Sequence, residues 1–332
     1  MKIDFPHRQA AHCETGVTSN LLAFYGHQVS EAMVFGIGGG LFFCYMPWLR
    51  LGSLPLITFR TLPGLVFKRA TRRLGLGIEL RRFRAPGPAM AELDALLARG
   101  IPVGCLTGAW WLPYFPPALR FHFNAHNIVV YGKEGDNYLI SDPVADRPVV
   151  CPAADLAKAR FALGPMAPHG KMYHVTHVPP RLDLAPAIVK GIKDTCFSML
   201  RLPIPVGVRG ERFLARRLVG WPAKLGAETA AHWLGTLIRM QEEIGTGGAG
   251  FRFIFAAFLQ EAAAVLDKPA LLELSNRMTA IGDHWREFAV LAARHCKGRA
   301  APGDSYATLA AVLDECGRRE EVLYRDLRQA IR

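Results

Sequence analysis

Three residues that lie far apart in the sequence have the types and the order needed for acyl-transfer chemistry at a thiol: Cys13, His126 and Asp142. In a Cys-His-Asp set the thiolate attacks an acyl carbonyl, the imidazole carries the proton, and the carboxylate fixes the imidazole tautomer. His12 and His122 are the rivals of His126 as the base. These residues can work together only if the fold brings them to one place.

Cys13 lies at the predicted start of a helix. The apolar residues that follow it recur on one helical face, and this pattern ends at Gly26. Unpaired N–H groups and the positive end of the helix dipole stabilise an anion, so a thiol at this position is poised to ionise. The alternative interpretation is a buried structural cysteine. The histidine and the aspartate further along the chain favour the nucleophile.

His126 and Asp142 bound a predicted β-hairpin. Two runs rich in β-branched and aromatic residues lie between them and are separated by a turn signal at residues 133–137. One strand therefore offers an imidazole and the next a carboxylate. The chain order Cys13, His126, Asp142 is also the order found in papain-like thiol enzymes.

Several short stretches resemble the N-terminal domain of the butirosin biosynthesis acyltransferase family, whose relatives include the peptidase domains of bacteriocin-processing transporters. They are residues 12–15 (His-Cys-Glu-Thr), 25–33, 35–40, 125–127 (Ala-His-Asn) and 141–143 (Ser-Asp-Pro). Residues 245–252 and 258–262 resemble the helical domain that accompanies this family's N-terminal domain. Together these stretches extend the resemblance over nearly all of the chain.

The expected fold class is α+β, followed by an all-α region. A papain-like domain with an antiparallel sheet and a nucleophile helix is predicted for residues 1–180, and a helical domain for residues 181–332. Pro179 and Pro180 mark the boundary, and strand signals fade beyond Pro186.

The resemblance implies an acyltransferase of specialised metabolite biosynthesis. It would take an acyl group from the phosphopantetheine thioester of an acyl carrier protein and give it to a small-molecule amine through an acyl-Cys13 intermediate. A cysteine peptidase or amide hydrolase with the same triad is the alternative, and a binding module without turnover is a third. No cofactor other than the carrier's arm and no metal is expected.

The oxyanion of the tetrahedral intermediate needs hydrogen-bond donors, and the backbone N–H of Cys13 is the natural first one. In papain-like enzymes and the transporter peptidases the second donor is a glutamine six residues before the cysteine. Here that position is His7, and the nearest glutamine is Gln9. Both are candidates for the second donor.

Further residues are candidates for binding the substrate, each with a structural alternative. Gly38, Gly39 and Gly40 could let backbone N–H groups approach a phosphate or acyl arm, or could form a tight turn. Trp111 and Tyr114 lie in a proline-stiffened aromatic loop that could wall a channel or act as a hydrophobic plug. Arg252 follows a glycine-rich break and could meet an anion, or the glycines could serve a close helix crossing.

The formal charge of +12 favours an anionic partner, such as an acidic carrier protein. Basic residues cluster at 69–73 and 81–84, without a nucleic-acid-binding motif, so nucleic acid is not expected. Seven scattered cysteines without a Cys-x-x-Cys pair, and an N-terminus without a signal-peptide pattern, predict a cytoplasmic protein with reduced thiols. The apolar run 32–48 is broken by glycines, so no membrane span is expected. Homo-oligomerisation is left open.

Overall fold

The computed structural model describes residues 1–51, 53–203 and 205–332, and they form two compact units. Unit 1 comprises Met1–Val34 and Ala70–Leu182, and unit 2 comprises Phe35–Arg69 and Asp183–Arg332. The chain thus enters unit 2 for the second time close to the predicted boundary at residue 180. Residues 35–69, however, belong to unit 2 and interrupt the predicted first domain.

The elements of the described residues follow one another along the chain as mixed helices and strands, and then as helices alone. They are α1 (Cys13–Phe24), α2 (Glu31–Ile37), β1 (Leu41–Leu51), β2 (Leu54–Arg60), α3 (Leu65–Arg73), β3 (Gly77–Arg81), α4 (Pro86–Ala98), β4 (Val103–Thr107), β5 (His126–Glu134), β6 (Asn137–Ser141), β7 (Val149–Pro152), α5 (Ala153–Arg160), β8 (Met172–His177), α6 (Leu184–Leu200), α7 (Gly207–Leu218), α8 (Trp221–Leu225), α9 (Ala227–Glu242), α10 (Arg252–Leu266), α11 (Ala270–Cys296) and α12 (Tyr306–Ala330).

Unit 1 is built on a six-stranded antiparallel sheet with the strand order β3-β8-β4-β5-β6-β7. Strand β5 is buried from His126 to Gly132, as expected for a strand that is covered on both faces. Helix α1 packs on β5, and apolar residues of α4 and α5 join the core formed by β4, β5 and β6. The predicted α+β architecture with a nucleophile helix and an antiparallel sheet is confirmed.

The hairpin β5–β6 fixes the relative position of the predicted base and carboxylate. The two strands pair in antiparallel register, with Val129 opposite Ser141, and are joined at Gly135, whose φ of +56° favours glycine. His126 is the first residue of β5, and Asp142 directly follows β6. Both residues therefore lie at the same end of the sheet.

Unit 2 combines the hairpin β1–β2 with helices α6 to α12, so the predicted helical C-terminal region is confirmed. The hairpin belongs there because its aromatic side chains pack into the helical core. The ring of Phe59 lies 5.6 Å from that of Trp285 in edge contact, and the ring of Phe43 lies 6.1 Å from the same tryptophan. Sequence analysis did not predict β2, whose alternating burial is that of a half-covered strand.

Arg252 lies in a buried ion cluster of unit 2 and does not face a substrate. Its side chain has no exposed surface, and its guanidinium binds Glu211 at 2.6 Å and Glu320 at 2.9 Å. Trp285 Nε1 and Tyr324 Oη also donate to Glu320, at 2.7 and 2.9 Å. An anionic substrate would have to displace these carboxylates, so the substrate-binding prediction for Arg252 is wrong in this structure.

Within the part of the chain that the structure describes, one helical stretch, Ala249–Leu266, is long and apolar enough to cross a membrane by length and composition alone. Within this stretch 61% of the residues are buried inside the chain. A core helix of a helical domain meets the same two criteria, and the buried face of α10 packs mainly on α11.

The ion cluster predicts how the stability of unit 2 depends on pH. Burial and the neighbouring Glu320 raise the pKa of Glu211 well above its ordinary value, and Arg252 only partly offsets this. The folded protein therefore binds the Glu211 proton more tightly than the unfolded chain, in which a glutamate has a pKa of about 4.5, so this contribution to stability is present at low pH and is lost as the pH rises. We expect Glu211→Gln to raise Tm relative to wild type by an amount that grows by at least about 3 °C between about pH 5 and 8.

The matched control is Glu243→Gln, because Glu243 is a carboxylate of the same unit whose side chain is 68% exposed. This variant should follow the wild-type Tm at every pH. A Tm difference for Glu211→Gln that stays constant across the pH range would show that Glu211 is ionised in the folded protein.

Candidate active site

Cys13 is the first residue of α1, as the sequence predicted. His12, which precedes it, has extended backbone angles of φ −112° and ψ 118°, so the chain turns into the helix at the cysteine. Cys13 as a whole residue is 8% exposed. It lies at the end of the helix whose N–H groups and dipole stabilise an anion.

His126 and Asp142 are in direct contact. Nε2 of His126 lies 2.7 Å from Oδ2 of Asp142, and Asp142 has no exposed surface. The other carboxylate oxygen, Oδ1, accepts a hydrogen bond from the backbone N–H of Val144 at 3.0 Å. The imidazole also hydrogen-bonds the side chain of Cys13. The structure thus brings the three residues predicted as a triad into one hydrogen-bonded chain.

The charges around His126 favour its imidazolium form. Burial alone would lower the pKa of His126, but the Asp142 carboxylate and the hydrogen bond and charge of Cys13 outweigh burial and raise that pKa to about 10. At neutral pH the imidazole is therefore protonated. A cation beside the thiol at a helix start stabilises the thiolate form of Cys13.

The segment before α1 is tied to the loop after β6, and sequence analysis did not predict this. Nδ1 of His7 lies 2.8 Å from Ser141 Oγ, and its Nε2 lies 3.1 Å from the Ala145 carbonyl. Gln9 donates to the Val144 carbonyl at 3.5 Å, and the N–H of Ala10 donates to the Pro143 carbonyl at 2.7 Å. The start of the helix and the carboxylate loop are therefore held as one piece.

These contacts give His7 and Gln9 a structural role, and their role as the second oxyanion donor stays a prediction. Both ring nitrogens of His7 are already engaged with the loop, and the side-chain amide of Gln9 is turned toward the same loop. The two residues hold the loop in place.

Two more residues hold the helix start and were missed by sequence analysis. The Glu31 carboxylate accepts the backbone N–H groups of Ala11 at 3.1 Å and His12 at 3.2 Å. Gly16 allows close approach, because a Cβ there would lie 2.6 Å from the Cβ atoms of Ala10 and Pro143. A glutamate near a helix N-terminus and a glycine inside a helix are weak signals without coordinates.

The aromatic loop covers the His-Asp pair. The ring of Phe115 contacts the His126 ring edge-on, with centroids 5.3 Å apart, and the hydroxyl of Tyr114 donates to Asp142 Oδ2 at 2.9 Å. Leu112 and Phe115 are buried in a small cluster with Ala109. These contacts support the hydrophobic plug for this part of the loop, and a role of Tyr114 in substrate binding stays a prediction.

Trp111 lies outside the plug. Its side chain is 40% exposed, and the ammonium of Lys158 lies 5.9 Å from its ring centroid. The role of Trp111 in substrate binding stays a prediction. The rival bases lie elsewhere: exposed His122 stacks on Trp110 at 4.6 Å, and Nδ1 of buried His12 lies 3.0 Å from Thr15 Oγ1.

The glycines at 38–40 lie in unit 2, where neighbouring side chains account for two of them. A Cβ on Gly38 would lie 2.5 Å from Val66, and a Cβ on Gly40 would lie 2.4 Å from the Phe35 ring. Gly39 has a φ of +59°, which favours glycine. These contacts support the tight turn, and a role of Gly38, Gly39 and Gly40 in substrate binding stays a prediction.

The remaining thiols differ from Cys13 in their surroundings. Burial raises the pKa of Cys44 to about 11 and the pKa of Cys151 and Cys196 to about 12, and it also raises the pKa of Cys105, Cys296 and Cys316. None of the seven cysteines, all of which lie within the described residues, forms a disulfide. Among residues 1–51, 53–203 and 205–332, no group of three or more His, Cys, Asp or Glu side chains is arranged to hold a metal ion.

Comparison with known proteins finds two adjoining family matches. Residues 12–143 match the N-terminal domain of butirosin biosynthesis protein H, and residues 154–327, slightly more than half of the chain, match a domain of unknown function, DUF4872. Among solved structures, a Bacillus anthracis protein described as a C39-like peptidase is 17% identical, with a TM-score of 0.37, and covers 54% of this chain and 100% of its own. No curated protein matches the chain.

The contrast between the thiols predicts which one reacts first. We expect iodoacetamide at near-neutral pH to modify Cys13 in preference to the other six, because the reactive species is the thiolate and the pKa values of the six are raised. Cys296 is the matched control, since it is the one cysteine with intermediate exposure, whereas Cys13 is buried. Peptide mass spectrometry should find the label on Cys13 in wild type and in Cys296→Ala. If labelling instead follows exposure and Cys296 is modified first, Cys13 is not the activated thiol.

The contact with Asp142 predicts the charge state of His126. We expect Asp142→Asn to lower the His126 pKa from about 10 by about 1 to 3 units, because the amide removes the negative charge that outweighs burial. The pKa can be followed by NMR from the imidazole signal that is missing in His126→Gln. A His126 pKa that is equal in wild type and Asp142→Asn would show that the two side chains do not interact in solution.

Proposed function

The chain belongs to the DUF4872 family, and its residues 12–143 match the N-terminal domain of butirosin biosynthesis protein H; on that premise we propose that it is a cysteine-dependent acyltransferase. It would move an acyl group from a carrier-protein thioester to a small-molecule amine. Family membership supports cysteine-based acyl transfer or hydrolysis. The observation that carries the proposal is the hydrogen-bonded chain of Cys13, His126 and Asp142 at the start of α1.

In the first half-reaction the Cys13 thiolate attacks the thioester carbonyl. The carbon–sulfur bond to the carrier's phosphopantetheine arm breaks, and the departing thiolate takes the proton from the His126 imidazolium. The backbone N–H of Cys13 is the first donor to the oxyanion of the tetrahedral intermediate. Acyl-Cys13 and neutral His126 remain.

In the second half-reaction the amine attacks acyl-Cys13. Neutral His126 takes the proton that the amine nitrogen loses, and the Cys13 thiolate leaves, so the amide is released and the ion pair is restored. Asp142 keeps the imidazole oriented through both steps, because its carboxylate binds Nε2 of His126 at 2.7 Å.

Burial of the site supports transfer over hydrolysis. His126 and Cys13 are 5% and 8% exposed, and Phe115 covers one edge of the imidazole. Once the acyl group and an amine occupy such a site, little room is left for water, so the amine held in place can react first. A hydrolase would need the same three residues and an open path for water.

The charge of the chain supports an acidic carrier protein as the acyl donor. In unit 1, Arg82 and Arg84 are exposed beyond the end of β3, whereas the Arg81 guanidinium is bound by Glu79 at 2.6 Å and Glu92 at 2.8 Å. Arg82 and Arg84 are therefore the better candidates for the docking site of the carrier protein. Reduced thiols and carrier-bound substrates also fit a cytoplasmic enzyme of specialised metabolite biosynthesis.

Acylation of Cys13 tests the proposal directly. We expect incubation with a panel of acyl N-acetylcysteamine thioesters to add the mass of one acyl group to wild type and to Cys296→Ala, but not to Cys13→Ala or His126→Ala, because only the Cys13–His126 ion pair supplies a thiolate at neutral pH. Adding primary amines should speed loss of the acyl group and yield the amide. Loss at a rate independent of the amine, with free acid as the product, would favour the hydrolase. Acylation that persists in Cys13→Ala would show that Cys13 is not the nucleophile.

The dependence on salt tests the carrier protein as partner. Raising the ionic strength until the Debye length falls below roughly 8 Å should slow acylation by an acyl-carrier protein and leave acylation by the small thioester nearly unchanged. The double variant Arg82→Glu/Arg84→Glu should reproduce the salt effect. Its control is Lys297→Glu/Arg299→Glu, which makes the same change in charge at exposed residues of unit 2. If both double variants slow acylation equally, only net charge matters, and residues 82–84 are not the docking site of the carrier protein.

A further inference from the structure

Tyr114 shares a carboxylate oxygen with the catalytic imidazole. Its hydroxyl donates to Asp142 Oδ2 at 2.9 Å, and His126 Nε2 lies 2.7 Å from that same oxygen. The second oxygen, Oδ1, accepts the N–H of Val144 at 3.0 Å. A carboxylate that accepts several donors divides its charge among them, so each added donor reduces its pull on the others.

We propose that Tyr114 is a positioning residue that fixes the Asp142 carboxylate and weakens its hold on the His126 proton, so that the imidazolium can give this proton to the leaving thiolate. This role is separate from the substrate contact that the sequence suggested for Tyr114. The inference deepens the proposed function and depends on its proton transfer between His126 and Cys13.

The loop around Tyr114 is built to keep the hydroxyl in place. Pro113 and Pro116 restrict the backbone on both sides, and the neighbouring Phe115 packs on the His126 ring with centroids 5.3 Å apart. One loop therefore contacts both the carboxylate and the imidazole. Burial and the nearby Asp142 charge raise the pKa of Tyr114 well above its ordinary value, so the phenol remains a neutral donor.

Among the described residues, few titratable groups act directly on His126 and Tyr114. Those acting on His126 are Asp142, which follows β6, and Cys13 of α1. Those acting on Tyr114 are Asp142 and Cys151 of β7, and burial raises the pKa of Cys151 to about 12, so that thiol stays neutral. His7 lies against Ser141, the residue before Asp142. The Tyr114 hydroxyl is thus the neutral side-chain donor that can adjust the Asp142–His126 pair without adding a charge.

Tyr114→Phe removes the hydroxyl and keeps the ring. With one donor fewer, Asp142 should hold the His126 proton more tightly, and the His126 pKa should rise from about 10 by about half a unit to one unit. A more tightly held proton is transferred less readily, so kcat for acyl transfer should fall about three- to tenfold with KM unchanged. The matched control is Tyr138→Phe, because the Tyr138 hydroxyl also donates to a carboxylate of unit 1, Asp94, at 2.6 Å.

The charge state of His126 can be measured without any acyl substrate. Iodoacetate is an anion and iodoacetamide is neutral, so the ratio of their alkylation rates at Cys13 falls when His126 loses its positive charge. Tyr114→Phe should move the midpoint of this fall to higher pH, and Tyr138→Phe should leave it at the wild-type value. A midpoint that stays in place or moves to lower pH in Tyr114→Phe would overturn the proposal.

A double-mutant cycle separates action through Asp142 from a general effect on folding. In an Asp142→Asn background the further change Tyr114→Phe should leave the alkylation midpoint where Asp142→Asn alone puts it. An equal shift in both backgrounds would show that Tyr114 does not act through Asp142. Because alkylation needs no acyl donor, these outcomes stand even if no thioester acylates Cys13, and the failure of the acyltransferase proposal can be told apart from the failure of this inference.

Discussion

The carboxylate of Asp142 has no exposed surface. Burying a charge costs free energy unless hydrogen-bond donors compensate for the lost water, so the rest of the site depends on supplying such donors. Three groups hydrogen-bond to this carboxylate: the imidazole of His126, the hydroxyl of Tyr114 and the backbone N–H of Val144. They come from three parts of unit 1, so the first strand of the hairpin, the aromatic loop and the loop after β6 must converge on one carboxylate. The charge of His126 follows from this convergence, because the carboxylate outweighs the desolvation that would neutralise the imidazole.

Backbone contacts help to bring the thiol to this pair. The N–H of Ala10 is bonded to the carbonyl of Pro143, one residue beyond Asp142, and Glu31 holds the two N–H groups that precede the helix. Gly16 leaves room for the helix to lie against Pro143. The helix start and the carboxylate loop are therefore held together, which positions the nucleophile beside the His126–Asp142 pair, as efficient proton transfer requires.

The sequence predicted the parts of this site that depend on periodicity and chain order. The helix beginning at Cys13, the hairpin from His126 to Asp142 and the helical second half all follow from local patterns. It could not predict that residues 35–69 belong to the helical unit, because this depends on Phe59 packing against a tryptophan more than two hundred residues away. The contacts of His7 with the loop after β6, the carboxylate bond of Tyr114 and the ion cluster around Arg252 were missed for the same reason. A side chain's partner is a tertiary property, and the residue type alone allowed several roles.

The central claim is that Cys13 and His126 form a thiolate–imidazolium pair around Asp142 at neutral pH. The most direct measurement is the thiolate absorbance near 240 nm, taken as the difference between wild type and Cys13→Ala over a range of pH. The account predicts that the difference is already close to its maximum at about pH 7 and falls only on acidification. If the absorbance instead rises only near about pH 8.5, the ordinary pKa of a cysteine, the pair does not form in the resting protein and the account is contradicted.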